Sequence, residues 1–324
     1  MDKDLLLIRQ VVEKEFVIFQ HYFSAAFAKA ENKLVQDVFC FVKNKKGKQI
    51  RPILVLLAGK LCGAVNEKTW QSAVAVEMLH TASLLHDDVV DETLERRGNL
   101  SVNAMFDNKT AVLSGDLLLT KSMQYILPCN EKSIQLFVAL GQRIAAGELL
   151  QLEKSFSRLL EQDYFEIIKC KTAALFSACL ELGALSVDAQ PKVVEQLRIF
   201  GEYLGCCFQM KDDIFDYMPQ VHIGKPTLND IREGKITLPL IYALKKATIE
   251  EQEQFKERMS NLPVSDETVH FVNNLVEKYE GCMFAAKKME EYAVQGRAAL
   301  AMFAESPEKE ALLNMLQYTM TRTN

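Results

Sequence analysis

Glu77-Met78-Leu79-His80-Thr81-Ala82-Ser83-Leu84-Leu85-His86-Asp87-Asp88-Val89-Val90-Asp91-Glu92-Thr93-Leu94-Glu95-Arg96-Arg97-Gly98 is the stretch on which the fold turns. Its first half is apolar and free of Gly and Pro, the pattern of a buried helix. Three aspartates then arrive within a turn and a half. On a helix, Asp87 and Asp91 share one face about 6 Å apart, and Asp88 points partly away. His80 lies two turns back on the face of Asp87. Two carboxylates on one stripe repel each other, and a cation between them removes that penalty. Oxygen ligands on a rigid element suit Mg²⁺, which keeps several waters and takes one or two carboxylates plus substrate phosphates. Arg96 and Arg97 follow, and arginine is the usual partner of phosphate or carboxylate. Alone, the stretch also fits a solvated acidic helix end.

The chain has 324 residues, of which 49% are hydrophobic. Gly (14) and Pro (8) are both scarce, and so long a chain with few breakers predicts long helices. We therefore expect an all-α fold, a large helical bundle around a deep central cavity. No linker or low-complexity tract divides it, so residues 1–324 read as one domain. The net charge is -5. No basic face of the density that nucleic acid demands is present. Eight cysteines are scattered without a C-x-x-C pair, which argues against zinc and for reduced thiols. Met1-Asp2-Lys3-Asp4 is charged and unlike a signal segment, and Ile53 to Ala58 is too short to span a bilayer. These features predict a soluble, cytoplasmic chain, with a greasy substrate as the one reason to touch a membrane peripherally.

Along the chain, Leu5 to about Ala30 carries apolar residues at three- and four-residue steps, an amphipathic helix. Gly47-Lys48-Gln49-Ile50-Arg51-Pro52 leads from a polar loop into an apolar helix. Helix N-termini attract anions, so Lys48 and Arg51 can point at one phosphate, although a basic loop is more often simply solvated. Ser114 or Asp116 is expected to cap a helix running to Leu127. Glu148 and Gln151 sit in an apolar helix and must bond neighbours. Asp163-Tyr164-Phe165-Glu166 reads as a capping-box variant opening a helix through Leu185. Lys171 on the inner face of that helix needs an anion unless it snorkels outward.

A second D-D-x-x-D stripe closes the helix from Leu197 to Met218, as Gln209-Met210-Lys211-Asp212-Asp213-Ile214-Phe215-Asp216. Gly201 and Gly205 permit a close helix approach there. Two stripes, each at the polar end of an apolar helix, weaken the solvated-end reading. Facing each other they form walls that can hold Mg²⁺ ions against a diphosphate. Leu79, Ala82, Ser83, Leu84, Leu204, Cys207 and Phe208 beneath them form apolar walls, suited to a hydrocarbon. A dry pocket of this kind protects a carbocation from water.

Gly47-Lys48-x-x-Arg51-Pro52, the Glu77-to-Gly98 block, Ser114-Gly115-Asp116, Gly147-Glu148, Lys171-Thr172, Phe208-Gln209-x-x-Asp212-Asp213-x-x-Asp216, Gly224-Lys225 and Glu233-Gly234-Lys235-x-Thr237-Leu238-Pro239 stand in one order. In that order and spacing the chain resembles the trans-isoprenyl (polyprenyl) diphosphate synthases over nearly its whole length. The resemblance implies an isoprenoid-synthase fold, a homodimer and a Mg²⁺-dependent prenyltransferase. It implies that Asp87, Asp88, Asp91, Asp212, Asp213 and Asp216 hold Mg²⁺, directly or through waters. Arg96, Lys171 and Lys225 would grip the allylic diphosphate, with Thr172 and Gln209 at the reacting centre. Lys48, Arg51, His80 and Arg97 would bind isopentenyl diphosphate. The implied reaction is head-to-tail condensation by ionisation, attack and proton loss. Lys46 stands where the family often has a second Gly.

Product length follows from the first helix. One turn rises about 5.4 Å, close to one extended isoprene unit. A bulky aromatic one turn above Asp87 would stop the chain, and this sequence has Ala82 and Ser83 there. The expectation by resemblance is a long product, about C30 to C50, of the kind used for quinone side chains. Ile126, Leu127, Phe137 and Val138 are candidate floor residues. The nearer rival is a short-chain farnesyl or geranylgeranyl diphosphate synthase. A non-catalytic partner subunit would have lost the acids, and both stripes are complete. A rival of another class is a ferritin-like di-iron bundle, suggested by Glu77-x-x-His80 and Glu267-x-x-His270, which leaves the stripes, Lys48, Arg51 and Lys171 unexplained.

Overall fold

A 24-residue helix, Glu67–Val90, runs through the middle of the molecule and carries the first acidic stripe at its C-terminal end. Every residue from Ser72 to Leu79 is buried, as expected of a helix that is apolar all round. A capping box opens it: the Asn66 side chain accepts from the backbone, and Thr69 returns the bond. A computed structural model describes residues 2–28, 30, 32–44, 47–96, 98–155, 160–218, 228–260 and 263–323, with only the backbone at Arg96.

Within these residues the elements are, in order, α1 (Lys3–Gln10), α2 (Glu13–Ala26), α3 (Lys33–Asn44), α4 (Ile50–Cys62) and α5 (Glu67–Val90). A small antiparallel hairpin of β1 (Glu95–Arg96) and β2 (Asn99–Leu100) follows. Then come α6 (Val102–Met105), α7 (Asn108–Ile126), α8 (Glu131–Lys154), α9 (Glu161–Ile168), a π-helical segment (Lys169–Ala173), α10 (Ala174–Ser186) and α11 (Pro191–Asp216). The last six are α12 (Asn229–Arg232), α13 (Leu238–Lys246), α14 (Ile249–Met259), α15 (Asp266–Lys278), α16 (Gly281–Ala299) and α17 (Pro307–Thr321). The fold is all-α, as expected. Around α5 lie α4, α7 and α10, while α10 packs on α11 and α11 on α16.

Three local expectations are corrected. The N-terminal stretch is two helices: Val12 turns out of the helical conformation, and the Val11 carbonyl before it accepts from Lys60 at 2.7 Å. Lys60 also pairs with Glu15 at the start of the next helix. Ser114 and Asp116 cap nothing: α7 begins six residues before Ser114, capped by Asp107, whose carboxylate accepts from the Thr110 N–H. The helix expected to run unbroken from Asp163 contains a π turn at Lys169–Ala173.

The expected close approach at Gly201 and Gly205 is present. A Cβ on Gly205 would stand 2.5 Å from Ala173 Cα, and one on Gly201 2.5 Å from Ser177 Cα. Backbone therefore meets backbone where α11 crosses the π segment and α10. Among the described residues, no helix is long and apolar enough to cross a membrane.

Candidate active site

The two stripes come to one mouth through a lysine. Asp91 ends α5 as its C-cap. Across from it, the Lys235 ammonium bonds Asp91 Oδ2 at 3.0 Å and also Glu233. Lys235 belongs to the turn after α12, and α12 is seated on the second stripe. Asp216 accepts from the N–H groups of Asn229 at 3.0 Å and Asp230 at 3.2 Å, which closes the N-terminus of α12. Burial works against the charge on Lys235, but Glu233 and Asp91 outweigh it and hold the ammonium well above its ordinary pKa. Asp230 is pushed far up, first by desolvation and then by Asp216 and Asp213. Asp91 of α5, Glu233 and Asp230 thus surround one cation, and Asp230 in turn lies beside Asp216 and Asp213 of α11.

Asp212 and Asp213 are adjacent in sequence and differ in surroundings. Asp212 accepts from Arg322 at 2.6 Å, and that guanidinium lies 4.1 Å from the Phe208 ring centroid. Asp213 is buried, with Tyr164 donating to Oδ2 and Gln209 to Oδ1. Desolvation pushes Asp213 up to about 7 in spite of those two bonds, and Asp212 and Asp216 add to the rise. On the first helix Asp88 is buried and Asp87 half-buried.

Lys171 finds the anion that its position demands. Its ammonium contacts Glu148 at 2.7 Å and reaches Gln151 Oε1 at 3.4 Å, so Glu148 and Gln151 bond a neighbour as expected. The next residue, Thr172, donates to Gln209 Oε1 at 2.6 Å. The π turn presents these two side chains to different partners, one on α8 and one on α11. Gly147 makes room for it: a Cβ there would fall 2.8 Å from Cys170 Cβ. A cavity of about 150 Å³ opens between these groups, bounded by Lys171, Thr172, Gln209, Asp213, Asp230 and Lys235.

Outside the lining of this cavity, Lys48 donates to the Tyr318 hydroxyl at 3.0 Å, and the Arg51 guanidinium lies 5.5 Å from the Phe176 ring centroid. His80 is partly exposed on α5, and its carbonyl accepts from Ser83 Oγ. Ala82 is buried. Cys207 turns toward α16, where its thiol meets the Met289 carbonyl, so it is no wall facing α5. Ile126 and Phe137 are buried, whereas Leu127 and Val138 lie at the surface. Arg97 and Lys225 lie outside the described residues, as do Lys46 and Gly224, and the Arg96 side chain is not described.

Among the described residues, no three His, Cys, Asp or Glu groups gather into a ready-made metal cage. The all-oxygen donor set still fits Mg²⁺, which takes one or two carboxylates and leaves the rest of its shell to water and phosphate. Asp91 and Asp212 already hold cationic side chains, so the carboxylates have the charge and access a divalent ion needs. The di-iron alternative gains no support, since α15, with Glu267 and His270, packs on α13, α14 and α16.

Sequence inspection assigned no role to Lys235, Asp230, Tyr164 or Arg322. Lys235 stood within a quoted motif, and Tyr164 was hidden inside a capping pattern. Arg322 carried no local signal at all.

Comparison with known proteins places these residues in context. The model of the family described as Polyprenyl synthetase matches residues 32–276. Octaprenyl diphosphate synthase of Escherichia coli is 31% identical over 296 residues, 90% of each chain. A polyprenyl synthase from Caulobacter crescentus CB15, solved with calcium and isoprenyl diphosphate, superposes with a TM-score of 0.93 at 30% identity, over 99% of this chain and 98% of that one. Geranylgeranyl pyrophosphate synthase from Bacteroides thetaiotaomicron superposes with a TM-score of 0.85 at 37% identity, over 99% and 100%.

Proposed function

This chain belongs to the polyprenyl synthetase family and is a prenyltransferase, and we propose that it condenses an allylic diphosphate, farnesyl diphosphate for preference, with successive isopentenyl diphosphates into a long all-trans polyprenyl diphosphate. The observation that carries this reading is the junction at Lys235, which joins Asp91 of one stripe to the turn seated on Asp216 of the other. Lys171 and the Thr172–Gln209 pair open onto the same cavity as Lys235.

Asp87, Asp91 and Asp212 would hold Mg²⁺ directly. When bound, the ions would neutralise the departing diphosphate. Asp88, Asp213 and Asp216 would reach the ions through waters. Asp216 spends both oxygens on backbone N–H groups and Asp213 on two side chains, so they brace the site. Lys171 and Lys235, each held by carboxylates, grip the allylic diphosphate, joined by Arg96 and Lys225. Lys48, Arg51, His80 and Arg97 take isopentenyl diphosphate. The allylic C–O bond breaks and its electron pair leaves with diphosphate. The isopentenyl double bond attacks the cation, and the proton next to the new cation passes to the released diphosphate. Thr172 and Gln209 orient the reacting carbon, and the apolar residues around it exclude water.

Small Ala82 and Ser83 favour a long product, about C30 to C50 on the one-turn-per-isoprene scale. Mass analysis of products from farnesyl diphosphate, isopentenyl diphosphate and Mg²⁺ tests this directly: termination at C15 or C20 would refute it. Ala82→Phe should shorten the product in a variant that keeps the wild-type circular dichroism. An unchanged length would show that the tail takes another path. The geranylgeranyl-forming relative at 37% identity favours the short-chain reading, and the same assay decides between them.

The reading includes one domain, a cytoplasmic setting in keeping with eight free thiols, and a homodimer. Leu113 and Leu149 on α7 and α8 are 66% and 68% exposed, with Leu127, Val138 and Leu152 also at the surface. Apolar surface in that amount suits a second copy of the chain. A hydrocarbon product of this length would also need a peripheral membrane contact for release, with quinone side chains as its destination.

A further inference from the structure

Tyr164 lies on α9, 3% exposed, seven residues before Lys171. Its hydroxyl donates to Asp213 Oδ2, and the other oxygen of that carboxylate accepts from Gln209 Nε2 at 2.9 Å. Gln209 Oε1 in turn accepts from Thr172 at 2.6 Å. Four side chains from α9, the π segment and α11 therefore form one unbranched line of hydrogen bonds, Tyr164 to Asp213 to Gln209 to Thr172.

The line has a fixed polarity. The Gln209 amide directs its NH₂ at Asp213, whose Oδ1 accepts. Its carbonyl oxygen is then left facing Thr172, whose single proton has nowhere better to go. The Thr172 oxygen keeps its lone pairs for the cavity, and Gln209 keeps its second N–H. Reversing the amide would set its carbonyl oxygen against the Asp213 oxygen and give up the Nε2 bond. Everything in this arrangement depends on Asp213 staying where it is. It is flanked by Asp212 and Asp216, which repel it, and the Tyr164 hydroxyl is what holds its outer oxygen.

We propose that Tyr164 is a positioning residue for prenyl transfer: by holding Asp213 it sets the orientation of the Gln209 amide and, through it, of Thr172 at the reacting centre. This rests on the function proposed above. Tyr164 borders the cavity with its hydroxyl committed to Asp213; it acts through two intermediaries, and its loss should slow the chemical step more than it weakens substrate binding.

Tyr164→Phe keeps the ring and removes only the donor. In the full-length enzyme, assayed with farnesyl diphosphate, isopentenyl diphosphate and Mg²⁺, kcat should fall about 10- to 100-fold, the usual scale for losing an outer hydrogen-bond partner of a catalytic group. KM for either substrate should move less than about threefold, since groups that bind the diphosphates are untouched. The double variant Tyr164→Phe/Gln209→Ala should be no slower than Gln209→Ala alone, because the line is already cut. Wild-type kcat in Tyr164→Phe, or losses that multiply in the double variant, would overturn the proposal. Should Tyr164→Phe fail to fold, Asp213→Ala tests the same line, since it removes the acceptors of both Tyr164 and Gln209. Reduced kcat with KM kept supports the proposal, and wild-type kcat refutes it. If the wild-type enzyme makes no prenyl product, the proposed function itself falls and takes this inference with it.

Discussion

The stripes Asp87-Asp88-x-x-Asp91 and Asp212-Asp213-x-x-Asp216 are the same five-residue pattern at the ends of two long helices, yet the molecule treats them differently. On α5 the third aspartate ends the helix and pairs with Lys235, 144 residues away in sequence. On α11 the third aspartate caps another helix, the second is buried between Tyr164 and Gln209, and the first faces Arg322. Spacing alone places carboxylates on a face. Which of them stays available to a metal is decided by the donors that surround each one. The comparison therefore separates aspartates that meet a cationic side chain, Asp91 and Asp212, from aspartates that hold neutral donors, Asp213 and Asp216.

That separation can be broken most decisively by substitution within the second stripe. Asp212→Ala, like Asp87→Ala, should lower kcat by about 10³-fold or more, the scale for losing a principal electrostatic element of a site. Asp216→Ala should instead remove a helix cap, at about 1 kcal/mol of stability, with a smaller loss of activity. Paired steady-state assays and urea melts of the three variants measure this. Equal activity losses at Asp212 and Asp216 would erase the distinction between them.

A middle-sized effect is expected at the junction. Lys235→Met removes the cation between the stripes and leaves Asp91 and Glu233 facing each other. Activity should drop roughly 10- to 100-fold, and stability by about 1–3 kcal/mol for half-buried acceptors left without a donor. High Mg²⁺ should restore part of the stability, because a divalent ion can take over the ammonium's place. Thermal melts with and without Mg²⁺ check this, and insensitivity to the metal would show that the carboxylates had moved apart.

The smallest effect on activity comes from a carboxylate outside both stripes. Glu181 on α10 is pushed up to about 7, chiefly by desolvation, although a Ser177 hydrogen bond and Arg198 oppose the rise. The folded state therefore binds this proton more tightly than the unfolded chain. Its contribution favours folding while Glu181 is protonated and is lost as pH climbs from the ordinary carboxylate range through 7. Glu181→Gln should be more stable than wild type at pH 8, by up to about 2 kcal/mol, and the advantage should vanish toward pH 4. Melting curves at the two pH values test it, and an equal gain at both would place the effect elsewhere.

Much of this was legible in the chain itself. The helices follow from apolar spacing and scarce breakers, and the stripes from their four-residue repeat. Lys171 announced its need for an anion, and Glu148 supplies it. What stayed hidden depends on distance in sequence. Arg322 reaches Asp212 across 110 residues, and Lys60 donates to the Val11 carbonyl from another element. Neither leaves a periodic trace. The π turn is likewise silent: its close contacts with Gly147 and Gly205 lie on elements distant in sequence.

That turn has one further consequence. Clamped by glycines on two sides, its extra residue acts as a gasket of fixed thickness between α8 and α11. Any bulk added at Gly147 or Gly205 would pry those helices apart and swing the lysine and threonine off target together. Tolerance to evolutionary drift should accordingly be lowest not at the charged groups alone but at two residues with no side chain to lose.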